Sequence, residues 1–172
     1  KVGKSIFGQG TGDYHGFAVS LSSDGNRLVV GAPLYDGEGG EDSGRVCFYQ
    51  YSAVVSDWVD LGSNACIKGE ATNDRLGFSV SMSGDGDRAA VTAPWYNGNN
   101  LPDTGRLSVY QYSSSDTWEP LGQIMGADWG DFFGSAAAIS RDGFRVAVGA
   151  SQIGSEVQGV GYSRVFEHGK NN

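Results

Sequence analysis

Three aspartates recur in equivalent surroundings: Asp13, Asp74 and Asp131 each stand three residues before a glycine that opens an alternating stretch. Recurring carboxylates could be paired for acid–base work, which needs one charged and one protonated member. A short Asp side chain repeated at a loop position has a simpler use, accepting hydrogen bonds from turn amides, and that reading is preferred. Asp24, Asp85 and Asp142 are each followed by glycine and, three residues on, by Arg27, Arg88 and Arg145. Each such Asp-Gly is a tight turn, and the arginine is expected to contact a carboxylate of its own unit. The two histidines, His15 and His168, are not equivalent and lie in no nucleophile or metal motif, so no catalytic or metal-ligating residue is assigned. Cys47 and Cys66 fall on what read as adjacent strands, within reach of a disulfide; two buried free thiols are the alternative.

Residues that differ between units are better candidates for function, because the scaffold does not explain them. Tyr35, Asp36 and Glu38, then Trp95, Tyr96 and Asn97, lie in long polar loops, and Asp128 and Trp129 in a connection. Aromatic side chains with polar neighbours suit contact with a protein or glycan. The alternative, held equal, is that these rings only cover the scaffold.

The elements that carry these residues are strands. The chain holds 28 glycines among its 172 residues, which interrupt nearly every window in which a helical period could develop. Its net charge of −8 and the lack of a basic run argue against nucleic acid as a partner. No apolar run approaches the roughly 18 residues of a spanning helix. The first residues, Lys1 to Ser5, lack the apolar core of a signal peptide, so the mature form or a stretch without the targeting signal is expected.

Self-similarity organises the rest. Gly16 to Pro33 returns as Gly77 to Pro94 and again as Gly134 to Ser151, with Asp-Gly at 24, 85 and 142, spacings of 61 and 57 residues (85 − 24 and 142 − 85). Phe17, Val19 and Leu21 alternate with the small Ala18, Ser20 and Ser22, and Phe78, Val80 and Met82 repeat them. This period of two makes an inner strand with a small-residue face. Leu28 to Ala32 is apolar on both faces, as a buried central strand should be. Gly44 to Tyr51 and Gly105 to Tyr112 read as a third strand, and the segments at Trp58 and Trp118 as an edge strand, where Pro120 is tolerable. The expected fold is all-β: three four-stranded antiparallel blades of a propeller, over one repeat domain. Its parts are residues 8–68, 69–125 and 126–172, with 1–7 as an outer strand able to complete another blade and the third repeat lacking its own. Propellers take about four to eight blades, so either further chain or further copies would complete this one, copies doing so by strand donation.

Phe7-Gly8, Leu76-Gly77 and Phe133-Gly134, with Gly31-Ala32-Pro33 and Ala93-Pro94, make the pattern similar to the FG-GAP repeats of integrin α-subunit-type β-propellers; His15-Gly16 and Ser151 depart from it. The resemblance implies extracellular or cell-surface recognition or adhesion through loops that share one face. It also implies calcium in the loop between the first two strands. Here the upstream acids are missing and Arg27, Arg88 and Arg145 stand about where a last acidic ligand would lie, so no calcium or other cofactor is expected. Protein or glycan partners follow from this reading, with oligomers by strand exchange as a further expectation. A structural repeat polymerising into a fibre or coat is the alternative, and a hydrolase using a propeller-face carboxylate cluster the less favoured one, since fold does not dictate function.

Overall fold

The computed structural model describes residues 1–152 and 159–168. Each unit folds as its alternation dictates. In the first, β1 (Ala18–Leu21), β2 (Arg27–Ala32), β3 (Arg45–Ser52) and β4 (Asp57–Asp60) lie side by side in chain order, and β5 (Cys66–Lys68) pairs with the other end of β3. The fourth position is thus one edge strand broken in two around Leu61 to Ala65. In the second unit β6 (Val80–Met82), β7 (Arg88–Ala93), β8 (Arg106–Tyr112) and β9 (Trp118–Met125) follow the same order. There β9 is continuous and takes up its surplus residue as a bulge beside Pro120. The third unit has β10 (Phe133–Ile139), β11 (Arg145–Ala150) and β12 (Tyr162–Glu167), and among the described residues no fourth strand. All strand pairs are antiparallel and no helix occurs among the described residues, so the expected all-β architecture of an open, partial propeller is the one observed.

The blades stack face to face, and period-two alternation decides which residues meet. Val29, Val46 and Phe48 of blade 1 pack on Val80, Met82, Ala89 and Val91 of blade 2. The opposite face of blade 2, through Ala90 and Leu107, meets Val146, Val148 and Ala150 of blade 3. Removing each such side chain from water contributes about 1.5–3 kcal/mol for the larger ones. The small-residue face of each inner strand turns toward the next blade. Its serines accept hydrogen bonds from the next inner strand: Met82 N–H donates to Ser20 Oγ (3.0 Å), Ala137 N–H to Ser79 Oγ (3.1 Å) and Ile139 N–H to Ser81 Oγ (3.1 Å). Inner-strand amides have no strand on their axial side, so these hydroxyls satisfy donors that would otherwise need water.

At the outer edge a tryptophan locks consecutive blades. Trp118 of blade 2 stacks on Phe48 of blade 1 with ring centroids 3.8 Å apart and donates from Nε1 to the Leu61 carbonyl (3.0 Å). Trp58 of blade 1 repeats the donation to the Val2 carbonyl (3.3 Å), while Lys4 N–H donates to Asp57 Oδ1 (2.8 Å). Residues 1–7 form no strand of their own, yet Val2 occupies against blade 1 the place that Leu61 of blade 1 occupies against blade 2.

Two faces have no neighbour among the described residues. Val19 and Leu21 are 60% and 54% exposed, whereas their equivalents Val80 and Met82, covered by blade 1, are 8% and 6% exposed. At the other end Val165 is 69% exposed and its equivalent Phe48, covered by blade 2, is fully buried.

Candidate functional site

The turns between first and second strands share one end of the blades, and the long loops share the other. At the turn end, Ser22, Ser83 and Ser140 each donate a hydroxyl to the aspartate two residues on, Asp24, Asp85 and Asp142, at 2.5–2.6 Å. The carboxylates also accept from the amides of Asn26, Asp87 and Phe144. Donated hydrogen bonds from the Ser22 hydroxyl and from Asn26 hold the Asp24 carboxyl down at about 2. The arginines reach across blades, which corrects the expectation of a contact within each unit. Arg27 pairs with Asp87 of blade 2 and lies over the Tyr112 ring; Arg88 donates to the Gly143 carbonyl of blade 3 (3.2 Å) and lies over Phe144. Arg145 alone pairs inside its own blade, with Glu167 at 3.3 Å. A side chain this long spans the inter-blade spacing and finds its acceptor on the next turn, because the stacked blades bring successive turns together. No group of three or more His, Cys, Asp or Glu is placed to hold a metal ion among the described residues.

Asp13, Asp74 and Asp131 each lie buried in the connection that leads into a blade, in three separate loops. Each accepts from turn amides: Gly10 N–H to Asp13, Ala71 N–H to Asp74, and Ala127 and Asp128 N–H to Asp131, at 2.9–3.1 Å. Asp131 also receives Gln152 Nε2 (2.9 Å) and the Tyr162 hydroxyl (2.8 Å). Burial pushes its carboxyl up, but these donors outweigh burial and hold it below the usual range. At Asp74 burial wins and raises the carboxyl. Cys47 and Cys66 face each other on β3 and β5 and form a disulfide, with Cα atoms 4.1 Å apart.

The loop end divides the sequence candidates. Tyr35 and Tyr96 lie flat against Arg45 and Arg106, at 4.3 and 4.1 Å, and so brace their own blades. Asp36 and Asn97 are equivalent loop anchors, accepting from Asp42 N–H (2.9 Å) and Asp103 N–H (3.0 Å). Glu38 pairs with Lys68 at 2.7 Å. Asp128 and Trp129 stand exposed in the connection to blade 3. Part of the third loop, residues 153–158, lies outside the described residues.

Trp95 is different. It lies between Phe78 and Phe132, edge to face with both at 5.1 and 5.5 Å, and Arg75 sits over its ring at 4.3 Å. Phe17 extends the aromatic row through Phe78 at 5.1 Å. Phe78, Pro94, Trp95, Phe132, Ser135 and Ser151 line a mostly apolar groove of about 410 Å³ between blades 2 and 3. Arg75 and Phe132 occupy equivalent positions with φ of 55° and 48°, the left-handed region that costs a non-glycine residue about 1–2 kcal/mol. That backbone turn aims both side chains at Trp95. Sequence reading singled out Trp95 but missed Phe78, Arg75 and Phe132. Phe78 is part of the repeat and reads as scaffold, and the left-handed turn leaves no trace in residue type when Arg or Phe occupies it.

Comparison with known proteins agrees with this geometry. The family model of the FG-GAP repeat matches residues 9–49, the first unit from its entering loop into its third strand, which bears out the expected resemblance. None of the curated proteins matches the chain. Among solved structures, similarity is found to the hydrazine synthase of Kuenenia stuttgartiensis (17% identity, 86% of this chain and 33% of that one, TM-score 0.48). It is also found to Sqt1 of Saccharomyces cerevisiae (12% identity, 81% and 31%, TM-score 0.47). A chain of the mitotic checkpoint complex gives 16% identity over 88% of this chain and 36% of that one, with TM-score 0.51. This last likeness shows a shared β-propeller-type fold. The chain spans about a third of the length of each of these structures.

Proposed function

We propose that this β-propeller module serves recognition, not catalysis: it binds a protein or glycan partner at its loop end, through the groove centred on Trp95, outside the cell or at its surface. The observation that carries the reading is the groove itself. Three aromatic rings and a guanidinium converge there; the left-handed position of Arg75 and Phe132 recurs at Tyr14 and belongs to the repeat, but only between blades 2 and 3 do the side chains it carries meet a tryptophan. Partly exposed aromatic clusters with an arginine are the usual centres of binding energy. The disulfide supports an oxidising compartment. Screening the parent and Trp95→Ala against protein and glycan libraries tests the idea. A bound partner should lose at least about tenfold in affinity when the ring is removed; unchanged affinity for every partner found would reject the groove.

A second reading, assembly by strand donation, is favoured by the placement of Val2 to Ser5. If copies line up blade 3 to blade 1, this segment of one copy would lie beside the vacant edge of β12 in another, as the outer strand of blade 1 lies beside β3. The uncovered Val19, Leu21 and Val165 would then be buried. Sedimentation of the chain with and without residues 1–7 separates the readings. A mass above that of the monomer, lost on truncation, supports assembly, and a monomer in both cases rejects it.

A further inference from the structure

The first position of the third strand carries a buried arginine in blades 1 and 2, and only one of the two has a counter-charge. In blade 2, Arg106 is 3% exposed, lies over Tyr96, and pairs through Nη1 with Glu70 Oε2 at 3.0 Å. Glu70 comes from the connection leading into that blade. In blade 3 the position holds Tyr162, whose hydroxyl donates to Asp131. In blade 1, Arg45 is 4% exposed and lies over Tyr35 in the same way, and its Nε, like that of Arg106, is buried without an acceptor; the difference is that among the described residues the Arg45 guanidinium makes no ion pair and no hydrogen bond. The reason is one residue. Gln9-Gly10-Thr11-Gly12-Asp13 matches Glu70-Ala71-Thr72-Asn73-Asp74, so a neutral glutamine stands where blade 2 has its carboxylate.

A buried guanidinium without an anion is costly, and the surroundings show its field. Both ring nitrogens of neighbouring His15 are buried without partners. Burial, and after it the charge of Arg45, hold that imidazole below its ordinary value, against a smaller opposing pull from Asp13. Lys68, which is close enough to feel the charge of Arg45, is already engaged by Glu38.

From these observations we infer that Arg45 and His15 form a receptor for an external carboxylate, of the kind an acidic side chain of a partner presents, seated where Glu70 sits in blade 2. A carboxylate is favoured over phosphate because the fold already holds one at the equivalent point, and because Asp13 and Glu38 nearby repel a dianion more strongly. The inference rests on the loop end being the binding end, since Arg45 opens β3 beside the loop that carries Tyr35.

The test is an NMR titration of the labelled full chain at constant ionic strength, following the Arg45 Nε–H and His15 ring signals. The probes are acetate, inorganic phosphate, and a capped Gly-Asp-Gly peptide with its Gly-Asn-Gly twin. Saturable shifts with acetate and the Asp peptide, but not the Asn twin, are expected, together with a rise in the His15 pKa. Arg45→Gln should remove the response. Gln9→Glu should also remove it, by filling the site from within as Glu70 does, and should raise Tm by roughly 2–4 °C. Shifts that never saturate, a response untouched by Gln9→Glu, or phosphate saturating more tightly than acetate would each overturn the assignment. If acetate fails while Trp95→Ala still weakens a partner, only this receptor is lost and the loop-end reading stands.

Discussion

At Trp118 three interactions meet: burial between blades, a stack on Phe48, and a hydrogen bond to the Leu61 carbonyl. Truncation would leave both a cavity and an unsatisfied acceptor, so Trp118→Ala should cost about 3–5 kcal/mol in urea unfolding. Trp58→Ala should cost clearly less, because Trp58 donates to Val2 without a blade stacked over it. Equal losses would contradict the inter-blade account of this residue. Asp24 offers a test by pH. Its carboxyl is lowered from near 4 to about 2, so the stabilisation it provides is complete above its unfolded value and is lost as pH falls through about 2. In Asp24→Asn the decline in stability between about pH 4 and 2 should flatten, and an unchanged slope would refute that origin. The turn role of this aspartate was legible from Asp-Gly alone. The destination of Arg27 was not, since Asp87 is a neighbour only once two blades have stacked.

The edge strands carry the clearest contrast between elements. In blade 2 the edge is one continuous strand, whereas in blade 1 it is broken between β4 and β5 and the second piece is tied to β3 by the disulfide. Cys47 and Cys66 are 19 residues apart, and a loop of that length is stabilised by a crosslink to the extent of about 2–4 kcal/mol. Cys47→Ser or Cys66→Ser should lower stability by that amount, with amide exchange rising first between residues 61 and 68. Uniform acceleration across all three blades would contradict a local tether. Placing the cysteines on adjacent strands needed only the repeat alignment. The break did not show, because the extra residues near Ser63 and Asn64 look like any loop until Asn64 is seen accepting from Trp118 N–H and donating to its carbonyl.

For the molecule as a whole, blade number and strand order were legible, because alternation and Asp-Gly turns recur at nearly constant spacing. The groove was legible only through Trp95. Its far wall, Phe132, Ser135 and Ser151, comes from the next blade, and sequence separation hides what stacking brings together: Phe78 and Phe132 lie 54 residues apart (132 − 78) yet flank one ring. Which end of the blades binds is therefore decisive. The most direct measurement is the affinity of a partner found with the parent chain for Trp95→Ala at the loop end and, at the turn end, for Arg141→Ala, the residue between Ser140 and Asp142 in the blade 3 turn. Loss of at least about tenfold with Trp95→Ala and no change with Arg141→Ala is the predicted result. Loss with Arg141→Ala alone would place the partner on the opposite end and contradict the account.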